Sequence, residues 1–257
     1  MTLRGIIRVR RAFLLAAALL LPAGARAESL ELAYPEEIGV EQSPGHFVFA
    51  FLRAAEMVAN DSGLETRWVP LPNQRSQNDI QRQRPNFCMA GAGITPEREK
   101  FARFTLPYFE DRMMAVLALP SRRAALDRAT SFKELIGRGD TTFLGYVGLN
   151  YGQASPLVEK LGNRLINAPR NTTQMLDMLA AGRADFALLP YEYATNYVTV
   201  RPDRGQFIIR TYPDMHRDFH TAFMCSKTVP DEVIAKLNEA IRRQKPQIEA
   251  RFGEQTR

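Results

Sequence analysis

Short apolar segments alternate with capped, amphipathic ones along nearly the whole chain, and this alternation constrains the fold more than any other feature. Leu30–Tyr34 reads as a strand, followed by a helix over Gly45–Asn60 with Phe47, Phe51, Ala54, Ala55 and Val58 at helical spacing. Gly63 is placed to close that helix in the left-handed conformation. A strand over Leu64–Val69, a polar helix over Gln74–Arg84 and a strand over Asn86–Ala90 come next. The loop Gly91-Ala92-Gly93-Ile94 then leads into a short helix whose start is marked by Thr95 as N-cap and Pro96 at the first helical position. Met113–Leu119 is a further strand, and Pro120-Ser121-Arg122 is the first place where the chain could change domain.

Beyond it the alternation repeats. Ser131 and Glu134 form a capping box, Thr142–Val147 reads as a strand, and Gly148–Gly152 is a loop before a helix to Leu161. Asn171 with Gln174 caps another helix, which Gly182 closes. Asp185–Leu189 and Gln206–Arg210 read as strands, as does Phe219–Ser226. The last helix starts near Pro230, with Pro246 expected to kink its end. The expected class is therefore α/β with mainly parallel sheets. The length of 257 residues accommodates two units of about 110 residues each.

Charge sits unevenly. The formal net charge is +6, yet residues 1–27 hold Arg4, Arg8, Arg10, Arg11 and Arg26 and no acid. Without them, 29 Lys+Arg face 28 Asp+Glu, a net of +1, so the folded part lacks the basic excess of a nucleic-acid binder. The same segment has a positive start, the apolar run Ala12–Leu21, and small residues at Ala25 and Ala27. That is the layout of a secretory signal peptide cleaved before Glu28, and the run is shorter than the ~20 residues a spanning helix needs. Export to an oxidising compartment bears on Cys88 and Cys225. They are either a bridged pair or two buried thiols behaving as small hydrophobes.

Few motifs carry chemistry. Phosphate loops, zinc-protease helices and nucleophile elbows are absent from the sequence, and Gly91-x-Gly93 lacks the third glycine of a dinucleotide fingerprint. His216 and His220 are spaced for one metal on a helix but have no third ligand nearby in sequence, so neither a metal nor a cofactor is expected. Arg98 is more informative. It stands in the first turn of a helix, where a cation opposes the helix dipole and needs a reason. One reason is a bidentate grip on a bound carboxylate beside the N–H groups of Gly93–Thr95. The other is an ion pair with Glu97, Glu99 or a residue from elsewhere.

The run Ala90-Gly91-Ala92-Gly93-Ile94-Thr95-Pro96-Glu97-Arg98, followed by Phe104-Thr105-Leu106-Pro107-Tyr108, resembles the G-x-T-x-T-x-E-R…F-S-x-P-Y segment of bacterial extracellular solute-binding proteins of family 3. The resemblance continues through Gly145–Gly152, Ala181-Gly182-Arg183-Ala184-Asp185 and Val229-Pro230-Asp231-Glu232. It implies a two-lobed periplasmic-binding-protein fold (type II) with two crossovers, lobe one over 28–118 and 214–257 and lobe two over 119–213. Both cysteines then fall on core strands of lobe one, which implies the bridge Cys88–Cys225. The resemblance also implies a monomeric periplasmic receptor that closes over an amino-acid-like carboxylate and serves an ABC permease in the inner membrane.

The site it implies comprises Arg98, Gly93, Thr95 and Tyr34 from lobe one and Asn150, Tyr151, Tyr191 and Glu192 from lobe two. Arg98 stands where the family's carboxylate-binding arginine stands. Gly93 replaces a hydroxyl residue that often lines the family's site. Pro190 occupies the position of the acid for the ligand ammonium, and Glu192 could substitute if its loop turns inward. A second reading is an enzyme on the same scaffold, such as a periplasmic dehydratase, for which Glu192 is the available acid or base. A third is a ligand sensor without a permease.

Overall fold

The computed structural model describes residues 29–36, 42–145, 149, 151–200 and 207–252. Residues 1–27, expected to be a signal peptide, and Asn150 lie outside these residues.

Strand β1 (Leu30–Pro35) leads to helix α1 (Ala50–Asp61), then to β2 (Thr66–Leu71), α2 (Asn73–Gln81) and β3 (Phe87–Gly93). β1 pairs in parallel with both β2 and β3. Helix α1 starts at Ala50 rather than Gly45, because Gly45 takes φ +81° and Phe49 is still extended. Gly63 adopts φ +69°, as the left-handed stop expected of it. The short α3 (Pro96–Glu99) and β4 (Ala102–Phe104) precede the long strand β5 (Phe109–Ala118).

The second half contains α4 (Arg123–Asp127), α5 (Phe132–Gly137), β6 (Phe143–Leu144), α6 (Ser155–Glu159), β7 (Leu165–Ile166), α7 (Thr172–Ala180), β8 (Phe186–Pro190), α8 (Tyr191–Val200) and β9 (Ile208–Arg210). The local caps read from sequence form. Ser131 Oγ accepts the N–H of Glu134, and Asn171 Oδ1 accepts that of Gln174. The chain returns through β10 (His216–Ser226) and ends in α9 (Asp231–Phe252), which continues through Pro246.

Strand order is β2-β1-β3-β10-β5-β8-β6-β7, with β4 on β10 and β9 on β5. The sheet is mixed, not mainly parallel as the alternation suggested. β5 and β10 run antiparallel to their neighbours because they carry the chain out of one half and back again. Residues 109–113 of β5 pair with β10, and residues 114–118 pair with β8 and β9. These two strands are the links between lobes.

Side-chain alternation on the links feeds separate cores. Met114, Val116 and Ala118 face Phe132, Phe143 and Phe186, whereas Ala115 and Leu117 belong to a core that runs from α1 and α9 to α7 and α8. A strand covered on both faces is apolar throughout, which explains the run Phe186–Leu189. Cys88 and Cys225 are directly opposite on β3 and β10, fully buried and joined as a disulfide. Among the described residues no helix is long and apolar enough to cross a membrane.

Candidate functional site

The carboxyl end of β3 is shaped by a bulge. Between Met89 and Ala92 the strand holds one more residue than β10 opposite it, and Gly91 absorbs the kink at φ +81°. A second reason requires glycine there: a Cβ on Gly91 would sit 2.4 Å from the Phe51 ring. Gly93 is under the same constraint, since its Cβ would sit 1.5 Å from Cζ of Phe219. The two glycines are thus seats for aromatic rings, from α1 and β10 respectively.

Past Gly93 the chain is held by Ile94 N–H donating to His220 O, and Thr95 is extended. Thr95 Oγ1 accepts the N–H of Arg98, the N-cap bond anticipated from Thr-Pro. Glu97 turns back onto its own N–H and the Thr95 hydroxyl, which hold its carboxyl below the usual value. Arg98 folds across the loop, and its Nη1 donates to Gly93 O at 2.9 Å. The carbonyl thereby orients a planar group with five donors in a fixed fork. Arg98, Gly93 and Thr95 form one hydrogen-bonded unit.

Tyr34 lies at the carboxyl end of β1, where open α/β sheets bind ligands. It is buried, its hydroxyl donates to Gln42 O, and burial followed by the charge of Glu36 raises its pKa. Its ring packs edge-on against Phe47, with Trp68 completing the cluster. Trp68 went unselected in the sequence, although the chain's single Trp on a strand beside the first was a usable signal.

From the second lobe, Tyr151 lies over Gly145, whose Cβ would meet its hydroxyl at 2.1 Å. Burial pushes the Tyr151 phenol up to about 12, and its hydroxyl has no hydrogen-bond partner among the described residues. Tyr191 is half-buried and opens α8 directly after Pro190, so the segment expected to be a loop is helical. Glu192 is buried in its first turn, and its carboxylate accepts the N–H of Ala50 at the start of α1. Tyr193 stacks on Phe49 with ring centroids 4.6 Å apart, and Tyr197 lies beyond. Tyr108 receives the N–H of Gly91 on its hydroxyl; burial raises its phenol far above the usual value, and the charge of Glu192 adds to this.

Among the described residues no group of His, Cys, Asp and Glu could hold a metal ion. His216 and His220 lie on β10 rather than a helix, and His220 Nδ1 is 3.8 Å from Glu110 Oε1 on β5.

Residues 52–249 match the family of bacterial extracellular solute-binding proteins, family 3. The chain belongs to this family. No curated protein sequence matches it. Family-3-like architecture is clear in solved structures. An ancestral arginine-binding protein bound to arginine is 18% identical, with a TM-score of 0.65 over 87% of this chain and 97% of that one. The arginine-, lysine-, histidine-binding protein ArtJ from Geobacillus stearothermophilus is 17% identical, with a TM-score of 0.67 over 88% and 96%. An ancestral amino-acid-binding protein described as a precursor of cyclohexadienyl dehydratase is 16% identical, with a TM-score of 0.66 over 89% and 96%. At these identities the likeness establishes the two-lobed fold.

Proposed function

We propose that this family-3 solute-binding protein works in the periplasm after loss of residues 1–27. It captures a small, amino-acid-like carboxylate between its lobes and presents the closed form to an ABC permease in the inner membrane. The lobes divide as 28–118 with 214–257 and 119–213, with β5 and β10 as the crossing strands. The observation that carries the reading is the Arg98 guanidinium, oriented by Gly93 O at the carboxyl edge of the sheet. A planar fork in that position matches a carboxylate bidentately.

Gly93 and Thr95 flank the carboxylate, and Tyr34 covers the solute from lobe one. Tyr151 and Tyr191 approach from lobe two, Asn150 is a further contact in this reading, and Glu192 draws the lobes together. Tyr151 supports this arrangement, because its buried hydroxyl has no partner among the described residues and such a group costs free energy unless a ligand completes it. Relatives of the same architecture that bind arginine or glutamine favour an amino-acid-like solute. Binding is favoured over catalysis because the acid an enzyme would use, Glu192, is bonded to the Ala50 N–H.

The test is a thermal-shift screen of amino acids and small carboxylates, followed by calorimetric titration of the hits. A hit that raises the melting temperature of wild type but not of Arg98→Ala supports the reading. Conversion of the hit into a product would replace a receptor with an enzyme.

A further inference from the structure

Phe219 departs from what the sequence drew attention to. It lies on β10 next to a bulge, where His216 and Phe219 oppose Met113 and Asp111 with one extra residue on the β10 side. The ring is buried, and its Cζ occupies the place any side chain on Gly93 would take. The carbonyl of the same residue, Gly93 O, accepts a hydrogen bond from Arg98 Nη1 at 2.9 Å. Ring and guanidinium therefore both rest on Gly93.

We propose that Phe219 is a specificity-determining residue, resting on the reading of Arg98 as the carboxylate anchor. Its ring caps the wall beside the anchor, limits the size of the group next to the ligand carboxyl, and makes that wall apolar. The argument is steric and chemical. A polar side chain at position 93 would add a hydrogen-bonding group, and a glycine with nothing packed on it would leave a hollow for the ligand. The glycine removes the first, and the ring removes the second. The protein therefore takes carboxylates whose neighbouring substituent is compact and has no hydrogen-bonding group to satisfy on this side.

The contact and its consequence are separately testable. Gly93→Ala should lower the melting temperature of the full chain, and the double variant Gly93→Ala with Phe219→Ala should recover it, because the ring no longer blocks the new Cβ. Selectivity is read by calorimetric titration of the straight-chain carboxylates from acetate to octanoate, with 3-phenylpropionate as a bulky probe. The proteins are wild type, Phe219→Leu, Phe219→Ala and Arg98→Ala.

Each methylene newly buried is worth about fourfold in affinity, so the room left by the ring should tighten the bulkier probes by roughly tenfold or more. Phe219→Ala should move the size cut-off upward and Phe219→Leu should fall between it and wild type, with acetate changed least. If both variants keep the wild-type cut-off while Arg98→Ala abolishes binding, the specificity role is overturned and the anchor reading survives. If Arg98→Ala binds the series like wild type, or no variant binds any probe, the anchor reading fails and takes this inference with it.

Discussion

Glu192, at the head of α8, accepts the backbone N–H of Ala50, the first residue of α1, across 142 residues of sequence. Helix α1 has no cap of its own, since Phe49 at the N-cap offers no acceptor. The first N–H groups of a helix lack intrahelical partners and carry partial positive charge, so a carboxylate is the group that best satisfies them. Supplied from the opposite lobe, it makes the cap a docking contact. The stack of Tyr193 on Phe49 and Phe51 surrounds it with apolar surface, where a charge-assisted hydrogen bond is stronger than in water.

Glu192→Ala should therefore open the protein in the absence of solute. It strands a donor in an apolar contact, at a cost of about 1–3 kcal/mol. Small-angle scattering should show a larger radius of gyration, and the melting temperature should fall. Glu192→Gln keeps an acceptor and should lie between. Scattering curves identical to wild type for both variants would show that the cap does not hold the lobes.

Tyr151 offers a cleaner separation of stability from binding. Its hydroxyl is buried with no partner among the described residues, so Tyr151→Phe should leave the solute-free protein equally stable or more stable by about 1 kcal/mol. Loss of a ligand hydrogen bond should weaken solute binding by roughly twofold to tenfold. The phenol also links stability to pH. Burial raises its folded pKa to about 12, above the usual 10.0, so the phenol has no pH-dependent effect below pH 10 and stability falls as pH rises from 10 towards 12, where the unfolded chain ionises first. Melting temperatures across that interval should fall less steeply for Tyr151→Phe than for wild type.

The parts of this fold legible in sequence are those decided within a few residues. Thr95-Pro96, Ser131 with Glu134, and Asn171 with Gln174 each bring cap and helix together locally, and all three form. Gly63 and Gly182 stop helices for the same local reason. Helix α8 was missed because Tyr191, Tyr193, Thr195, Tyr197 and Val198 favour strands by composition. Burial of Ala194 and Tyr197 in the core overrides that preference. In the site, the Arg98 unit was legible because loop and helix are contiguous. The seats for Phe51 and Phe219 and the Glu192–Ala50 contact were not, because each joins segments that only the tertiary fold brings together.

The disulfide should dominate stability. Cys88 and Cys225 are 137 residues apart, and closing a loop of that length is worth about 5 kcal/mol in the chain-entropy treatment. Thiol titration of the denatured, unreduced protein should find neither cysteine reactive. The double replacement of both cysteines by Ser should lower the urea midpoint substantially while leaving β3 and β10 paired. Two titratable thiols in the oxidised preparation would contradict the bridge.

Arg98 is the residue on which solute capture should depend most. Its guanidinium donates to Gly93 O, and it follows a strand whose end is fixed by Ile94 N–H on His220 O. Arg98→Ala removes the half-buried hydrogen bond to Gly93 O from the solute-free protein, and loss of a bond of this kind typically costs about 0.5–1.5 kcal/mol. In the complex it leaves a carboxylate desolvated and unpaired, which typically costs ~2–5 kcal/mol of binding. Arg98→Lys keeps the charge, but an ammonium is a point charge and cannot reproduce the planar fork that meets a carboxylate bidentately. It should therefore bind nearly as poorly as Arg98→Ala while melting close to wild type. Calorimetric titration of the three proteins with the solute found by screening decides the matter. Binding by Arg98→Ala within about threefold of wild type, or roughly 0.7 kcal/mol, would remove Arg98 from the site.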